Sequence, residues 1–152
     1  MNRLYFAYGS NLNREQMAQR CHDAIPVGRA TVKGWRREFH CVLTIVENEK
    51  ESVEGGLWQI SSRDEKALDR YEGWPHLYRK ERLIARIGKH RIEAMTYIMN
   101  GGELSPPSVP YFCVCATGMM QWDIEPAKLL RDYYRAVAAT WDDMPGEIRV
   151  NE

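Results

Sequence analysis

The sequence predicts an α+β fold: a single small mixed domain whose strongly curved, partly closed, barrel-like β-sheet carries flanking helices. Three observations lead there. Strand-like apolar runs outnumber helical patterns and are punctuated by glycine. Only a few segments repeat at helical spacing. The strands do not alternate with helices in the manner of βαβ units, so a doubly wound parallel sheet is excluded. At 152 residues the chain is about the size of one domain. It shows no internal repeat, low-complexity tract or linker. Residues 1–152 therefore read as one unit, with a core over about 4–120 and a C-terminal helix over about 125–141.

Leu4 to Ala7 reads as a buried strand and Asn13 to Arg20 as a short helix. Ala24 to Trp35 and Glu38 to Val46 read as two strand segments separated by Gly34. Gly55-Gly56 reads as a turn into another strand, Leu57 to Ile60, with Trp58 in the core. Ser62-Arg63-Asp64-Glu65 reads as a capping box, and Ala67, Leu68 and Tyr71 continue at helical spacing. Gly73 is the natural stop, with Pro75 just beyond.

Tyr78 to Ile87 and Arg91 to Met99 form a hairpin across Gly88-Lys89-His90. Gly101 to Pro110, rich in proline, glycine and serine, is an exposed connection. Pro126, Leu129, Leu130, Tyr133, Tyr134, Val137 and Ala138 fall on one helical face, with Pro126 suited to the first turn. That face is expected to cover the barrel or to support a homodimer. Arg149 to Glu152 is expected to fray.

Charge excludes some partners. Lys+Arg and Asp+Glu are both 21, so nothing favours nucleic acid or an anionic membrane. The basic run Arg79-Lys80-Glu81-Arg82, continuing to Arg86, Lys89 and Arg91, coincides with the hairpin and reads as a solvated face. No stretch approaches a membrane span, and Met1 to Leu4 opens no signal peptide, so the expected compartment is cytoplasmic. Cys21, Cys41, Cys113 and Cys115 are then reduced thiols. Neither they nor the scattered histidines have zinc spacing, and no metal or cofactor is expected.

Two places can carry chemistry. After the first strand, Tyr8-Gly9-Ser10-Asn11-Leu12 makes a turn that can gather backbone N–H groups around a carboxylate or an oxyanion. Glu72 sits in the last turn of its helix, facing the negative end of the helix dipole and flanked by Tyr71, Trp74 and Pro75. Desolvation there raises a carboxyl pKa toward the range of a general acid/base, whereas a solvated helix-end Glu would do nothing. Tyr78 and Tyr111 either line a site near Glu72 or belong to the core.

Taken in order, these motifs resemble the γ-glutamylcyclotransferase-like (AIG2-like) family. The resemblance rests on Tyr8-Gly9-Ser10-Asn11-Leu12, Gly55-Gly56-Leu57-Trp58-Gln59-Ile60 and Leu68-Asp69-Arg70-Tyr71-Glu72-Gly73. Tyr78, Tyr97 and Pro107-Ser108-Val109-Pro110-Tyr111 complete it, so that it spans about residues 4–120. The Ser-Asn-Leu form is similar to the general branch, not to the Gly-Ser-Leu loop of glutathione-degrading relatives.

The resemblance implies a partly closed barrel and conversion of a γ-glutamyl compound to 5-oxoproline with release of an amine. It also implies no cofactor, with Glu72 as acid/base. Gly9, Ser10, Asn11 and Leu12 would hold the γ-glutamyl unit with Tyr8 beside it, and Tyr78 and Tyr111 would be pocket tyrosines. The partner is then a small γ-glutamyl molecule. Its leaving group stays open between amino acids and γ-glutamyl amines, with Trp74-Pro75-His76 and the 101–110 loop as expected outer walls. A relative that binds such a ligand without turnover is the other class.

Overall fold

The structure, a computed structural model, describes residues 3–142. Five strands close into a barrel in the order β1-β3-β2-β4-β5. β1 (Arg3–Ala7) supplies the closure, pairing antiparallel with β3 (Val42–Ile60) and parallel with β5 (His90–Met99), so Tyr5 faces Trp58 on one side and Met95 on the other. β2 (Ile25–His40) forms a long hairpin with β3 and touches β4 (Tyr78–Ile87) where Thr31 meets Arg86. β4 and β5 pair along their whole length. Phe6, Phe39, Ile45, Leu57 and Tyr97 are fully buried in the core.

The helices flank this barrel. A 3-10 turn over Ser10–Leu12 leads into α1 (Arg14–Arg20), which Asn13 caps by accepting from the Gln16 amide. α2 spans Ser62–Glu72, α3 Val109–Gln121 and α4 Ala127–Asp142. Among the described residues no helix is long and apolar enough to cross a membrane.

Several predicted elements differ from the observed ones. Gly34 does not separate two strands. β2 runs through it, with Gly34 at φ +88 where the ladder jumps from Lys33–Ser52 to Trp35–Glu47. The hairpin turns instead at Cys41, whose φ is 66. Gly55 and Gly56 are likewise not a turn but the interior of β3. A Cβ on Gly55 would lie 2.3 Å from the Ala7 carbonyl oxygen, and one on Gly56 would lie 2.8 Å from the Trp122 indole. Glycine is there because another chain segment approaches closely, which the sequence presents as turn chemistry.

The capping box begins one residue earlier than predicted. Ser61 Oγ accepts from the Asp64 amide at 3.1 Å, and Asp64 Oδ2 accepts from the Ser61 amide at 3.1 Å. Gly73 ends the helix in the left-handed conformation, as expected. Replacing Ser61 with Ala should cost about 1 kcal/mol and lower Tm by roughly 2–4 °C in a thermal melt.

α3 has no counterpart among the predicted elements. Ser108 caps it and Pro110 sits in its first turn, so the exposed connection ends at Ser108. α4 is rotated from the predicted face: Leu129, Asp132 and Ala136 are buried, whereas Leu130, Tyr134 and Ala138 are exposed. The reason is the burial of a charged residue. Arg131 and Arg135 each reach Asp132 Oδ1 at 3.4 Å, and with the buried Arg37 they oppose the upward shift that burial gives this carboxyl. The basic hairpin face is solvated at Arg79 and Arg82, while Lys80 is tied to Glu65 and Asp69. The expectation for Arg149 to Glu152 lies outside the described residues.

Candidate active site

β1 delivers the chain to one end of the barrel, where the loop that begins at Tyr8 follows it. A cavity of about 210 Å³ sits beneath, lined by Tyr8, Gly9, Ser10 and Asn11 on one side and by Tyr71, Glu72, Tyr78 and Tyr111 on the others. Tyr5, Val42, Leu43, Leu77 and Tyr97 complete the wall. Most of the predicted site residues, from four separate stretches of chain, thus meet in one place.

Leu12 is the exception. It is fully buried away from the cavity, and its carbonyl accepts from Trp122 Nε1 at 2.8 Å. Leu12 anchors the loop to α3. The expected outer walls are also absent from the lining: neither Trp74-Pro75-His76 nor residues 101–110 reach it, and Leu77, Val42 and Leu43 stand there.

The loop is held from behind. Arg37, buried beneath it, donates through Nε to the Tyr8 carbonyl at 2.7 Å and through its other arm to the Glu54 carbonyl. Trp58 Nε1 donates to the Asn11 carbonyl at 3.0 Å. These contacts hold the backbone of Gly9, Ser10 and Asn11 at the wall of the cavity. Among the described residues these three amides have no acceptor, as is usual for the first groups of a helical turn. A row of N–H groups beside a cavity can receive negative charge.

Glu72 lines the same cavity. Burial pushes its carboxyl up to about 7, with Arg20 acting in the opposite sense. The side-chain amide of Asn11 donates from Nδ2 to Glu72 Oε1 at 3.3 Å and to the Tyr5 hydroxyl at 2.9 Å. Such a carboxyl takes and returns a proton near neutral pH with little driving force wasted in either direction.

The tyrosines are fixed and protonated. Tyr78 donates to the Leu43 carbonyl at 2.8 Å, Tyr111 accepts from the Leu43 amide at 3.0 Å, and Tyr8 donates to the Tyr97 carbonyl at 2.6 Å. Burial pushes the phenols of Tyr5, Tyr8, Tyr78, Tyr97 and Tyr111 well above the usual tyrosine range. They serve as neutral walls and hydrogen-bond groups.

Comparison with known proteins agrees with this geometry. The family model described as "Gamma-glutamyl cyclotransferase, AIG2-like" matches residues 5–111, from the strand before the loop to the last pocket tyrosine. The chain belongs to this family. A mouse protein named gamma-glutamylcyclotransferase is 28% identical over 130 residues, covering 76% of this chain and 69% of its own length. A solved structure titled gamma-glutamyl cyclotransferase superposes with a TM-score of 0.77 at 22% identity, covering 91% of this chain and 88% of its own. An uncharacterized human protein gives the same TM-score at 21% identity, over 99% and 92% of the two chains. At these identities the two likenesses bear on the fold, and they agree with the α+β reading of the sequence.

Sequence reasoning missed Tyr5, Leu43 and Arg20. Tyr5 and Leu43 look like ordinary strand residues, and only barrel closure brings them to the cavity. Arg20 lies outside the lining, its guanidinium 3.6 Å from the centre of the Tyr71 ring. Its one sequence signal is a position at the end of the helix that follows the loop.

Proposed function

We propose that the protein is a γ-glutamylcyclotransferase-type enzyme that closes the glutamyl part of a γ-glutamyl compound into 5-oxoproline and releases an amine. The observation that carries this reading is the opposition, across one small cavity, of the Glu72 carboxyl at about 7 and the unpartnered amides of Gly9, Ser10 and Asn11.

The reaction divides between these two parts. The α-amino nitrogen of the substrate enters as an ammonium, and Glu72 takes one proton from it. The freed amine attacks the γ-carbonyl of the same glutamyl unit, forming the ring C–N bond. The carbonyl oxygen becomes an oxyanion, and the loop amides receive it; one well-placed donor of this kind contributes on the order of 3 kcal/mol. As the intermediate collapses, Glu72 returns its proton to the leaving nitrogen and the original C–N bond breaks. The carboxylate then takes the second proton from the ring nitrogen and passes it to the departing amine, which leaves as an ammonium.

Tyr8, Tyr78 and Tyr111 bound the space in which the glutamyl unit must fold back on itself. Holding that folded geometry replaces a flexible search and contributes several kcal/mol by order of magnitude. Every atom of the products comes from the substrate, and both protons that leave the attacking nitrogen pass through Glu72.

The leaving group extends past Leu77 and Val42, both apolar, so γ-glutamyl amines stand beside γ-glutamyl amino acids as the substrate class. The test is 5-oxoproline release from a panel of γ-glutamyl dipeptides and γ-glutamyl amines, with Glu72→Gln run in parallel. Product from the wild type, lost in the variant, supports the reading. No product from any member, with thermal stabilisation by 5-oxoproline intact, overturns it in favour of a binding module.

A further inference from the structure

Arg20 closes α1 beside the cavity without lining it. Its NH1 donates to Asn11 Oδ1 at 2.7 Å, and its NH2 donates to Gln16 Oε1. The same guanidinium sits over the Tyr71 ring, whose hydroxyl is 3.1 Å from Ser10 Oγ. One side chain therefore touches a partner of Glu72 and a partner of the loop.

A guanidinium has five donors and no acceptor. With Arg20 in place, the Asn11 amide must present its oxygen to Arg20 and its NH2 to the other side, where Tyr5 and Glu72 accept. We propose that Arg20 is a positioning residue for the reaction: it fixes the orientation of the Asn11 amide and thereby the seat of the Glu72 carboxylate. The proposal rests on Glu72 being the proton carrier.

Without Arg20 the amide is free to turn over and aim Oδ1 at the carboxylate, an acceptor against an acceptor. Arg20 is also the opposite charge acting on Glu72, while the other titratable groups lining the cavity with the carboxyl are tyrosines: Tyr5 on β1, Tyr8 just after it, Tyr71 on α2, Tyr78 on β4, Tyr97 on β5 and Tyr111 on α3. Losing Arg20 removes the charge that favours ionisation, and among the described residues the cavity lining holds no cation to replace it. The carboxylate then forms only at higher pH.

The test compares Arg20→Met and Arg20→Lys with the wild type, each verified as folded by circular dichroism. Two titrations are read: the carboxyl-carbon NMR signal of Glu72, and kcat/KM for 5-oxoproline release against pH. In Arg20→Met both midpoints should rise by about half to one pH unit, and kcat/KM below the plateau should fall about three- to tenfold. Arg20→Lys, which keeps the charge but not the planar fork, should restore much of the midpoint and less of the rate. It also covers the case in which Arg20→Met does not fold.

An unchanged Glu72 midpoint with a uniform loss of rate at all pH values would overturn the proposal, leaving Arg20 a structural residue only. A Glu72 signal that shifts as expected, in a protein that makes no 5-oxoproline, would keep the positioning role and overturn the cyclotransferase reading instead.

Discussion

On the proposed mechanism, Glu72→Gln should lower kcat for 5-oxoproline formation by about 100-fold to 10,000-fold, while substrate affinity should change little. The variant keeps the shape of the side chain and an oxygen for the Asn11 amide, which now donates to a neutral acceptor. What it removes is the capacity to take a proton from the substrate ammonium. In the wild type, kcat/KM should rise with pH and level off above about 7, where the carboxyl is ionised. That acidic limb should vanish from the residual activity of the variant. Stability should move the opposite way. The folded carboxyl titrates at about 7 against an ordinary 4.5, so between those values the folded state holds more protons than the unfolded one. Folding stability from this group is complete below the lower value and is lost as pH rises through the higher one. Glu72→Gln does not ionise, so it should melt above the wild type at about pH 8 and close to it at about pH 5, a difference of order 1–3 kcal/mol. A kcat that survives in Glu72→Gln would sink the acid/base assignment.

The parts of this site that were legible in the sequence are those set by neighbours along the chain. Gly9-Ser10-Asn11 after a strand implies a turn, and a 3-10 turn that lines the cavity is where these residues stand. Gly73 implies a helix end, which puts Glu72 in a last turn, and the left-handed cap is present. The tyrosines were legible only through family resemblance, because nothing local distinguishes Tyr78 or Tyr111 from a core aromatic.

What stayed hidden depends on contacts between distant segments. Leu12 looked like the end of a ligand loop, yet Trp122, 110 positions later, takes its carbonyl into the core. Gly55 and Gly56 read as a turn because their cause, the passage of β1 and Trp122 against β3, is not local. α4 was read by its apolar stripe, and the buried Asp132 rotates it because arginines from both α4 and β2 surround that carboxylate. Patterning by hydropathy assigns a charged residue to the outside; here the ion pairs reverse it.

Gly118→Ala separates local preference from tertiary contact most sharply. Gly118 lies within α3, where alanine is the better helix former by about 1 kcal/mol, so propensity alone predicts a more stable protein. The structure predicts the reverse. A Cβ there would stand 2.6 Å from the Asn13 amide nitrogen and 2.9 Å from the Leu12 carbonyl carbon, both backbone atoms that no rotamer change can move aside. α3 must back away from the chain that follows the site loop. Three contacts would stretch together: Asn13 Nδ2 to the Val114 carbonyl at 3.2 Å, the Arg14 amide to Gln121 at 2.8 Å and Trp122 Nε1 to the Leu12 carbonyl at 2.8 Å. Overpacking of this kind costs about 1–3 kcal/mol or more after any gain in propensity, a fall in Tm of roughly 2–12 °C. Because Leu12 and Asn13 continue directly from Ser10 and Asn11, kcat/KM should fall as well, with Glu72 itself untouched. Gly28→Ala is the control: its Cβ meets only Ile87 Cδ1 at 3.6 Å, so its stability should stay within about 0.5 kcal/mol of the wild type. A Gly118→Ala protein that melts higher than the wild type at full activity would mean that α3 does not brace the loop.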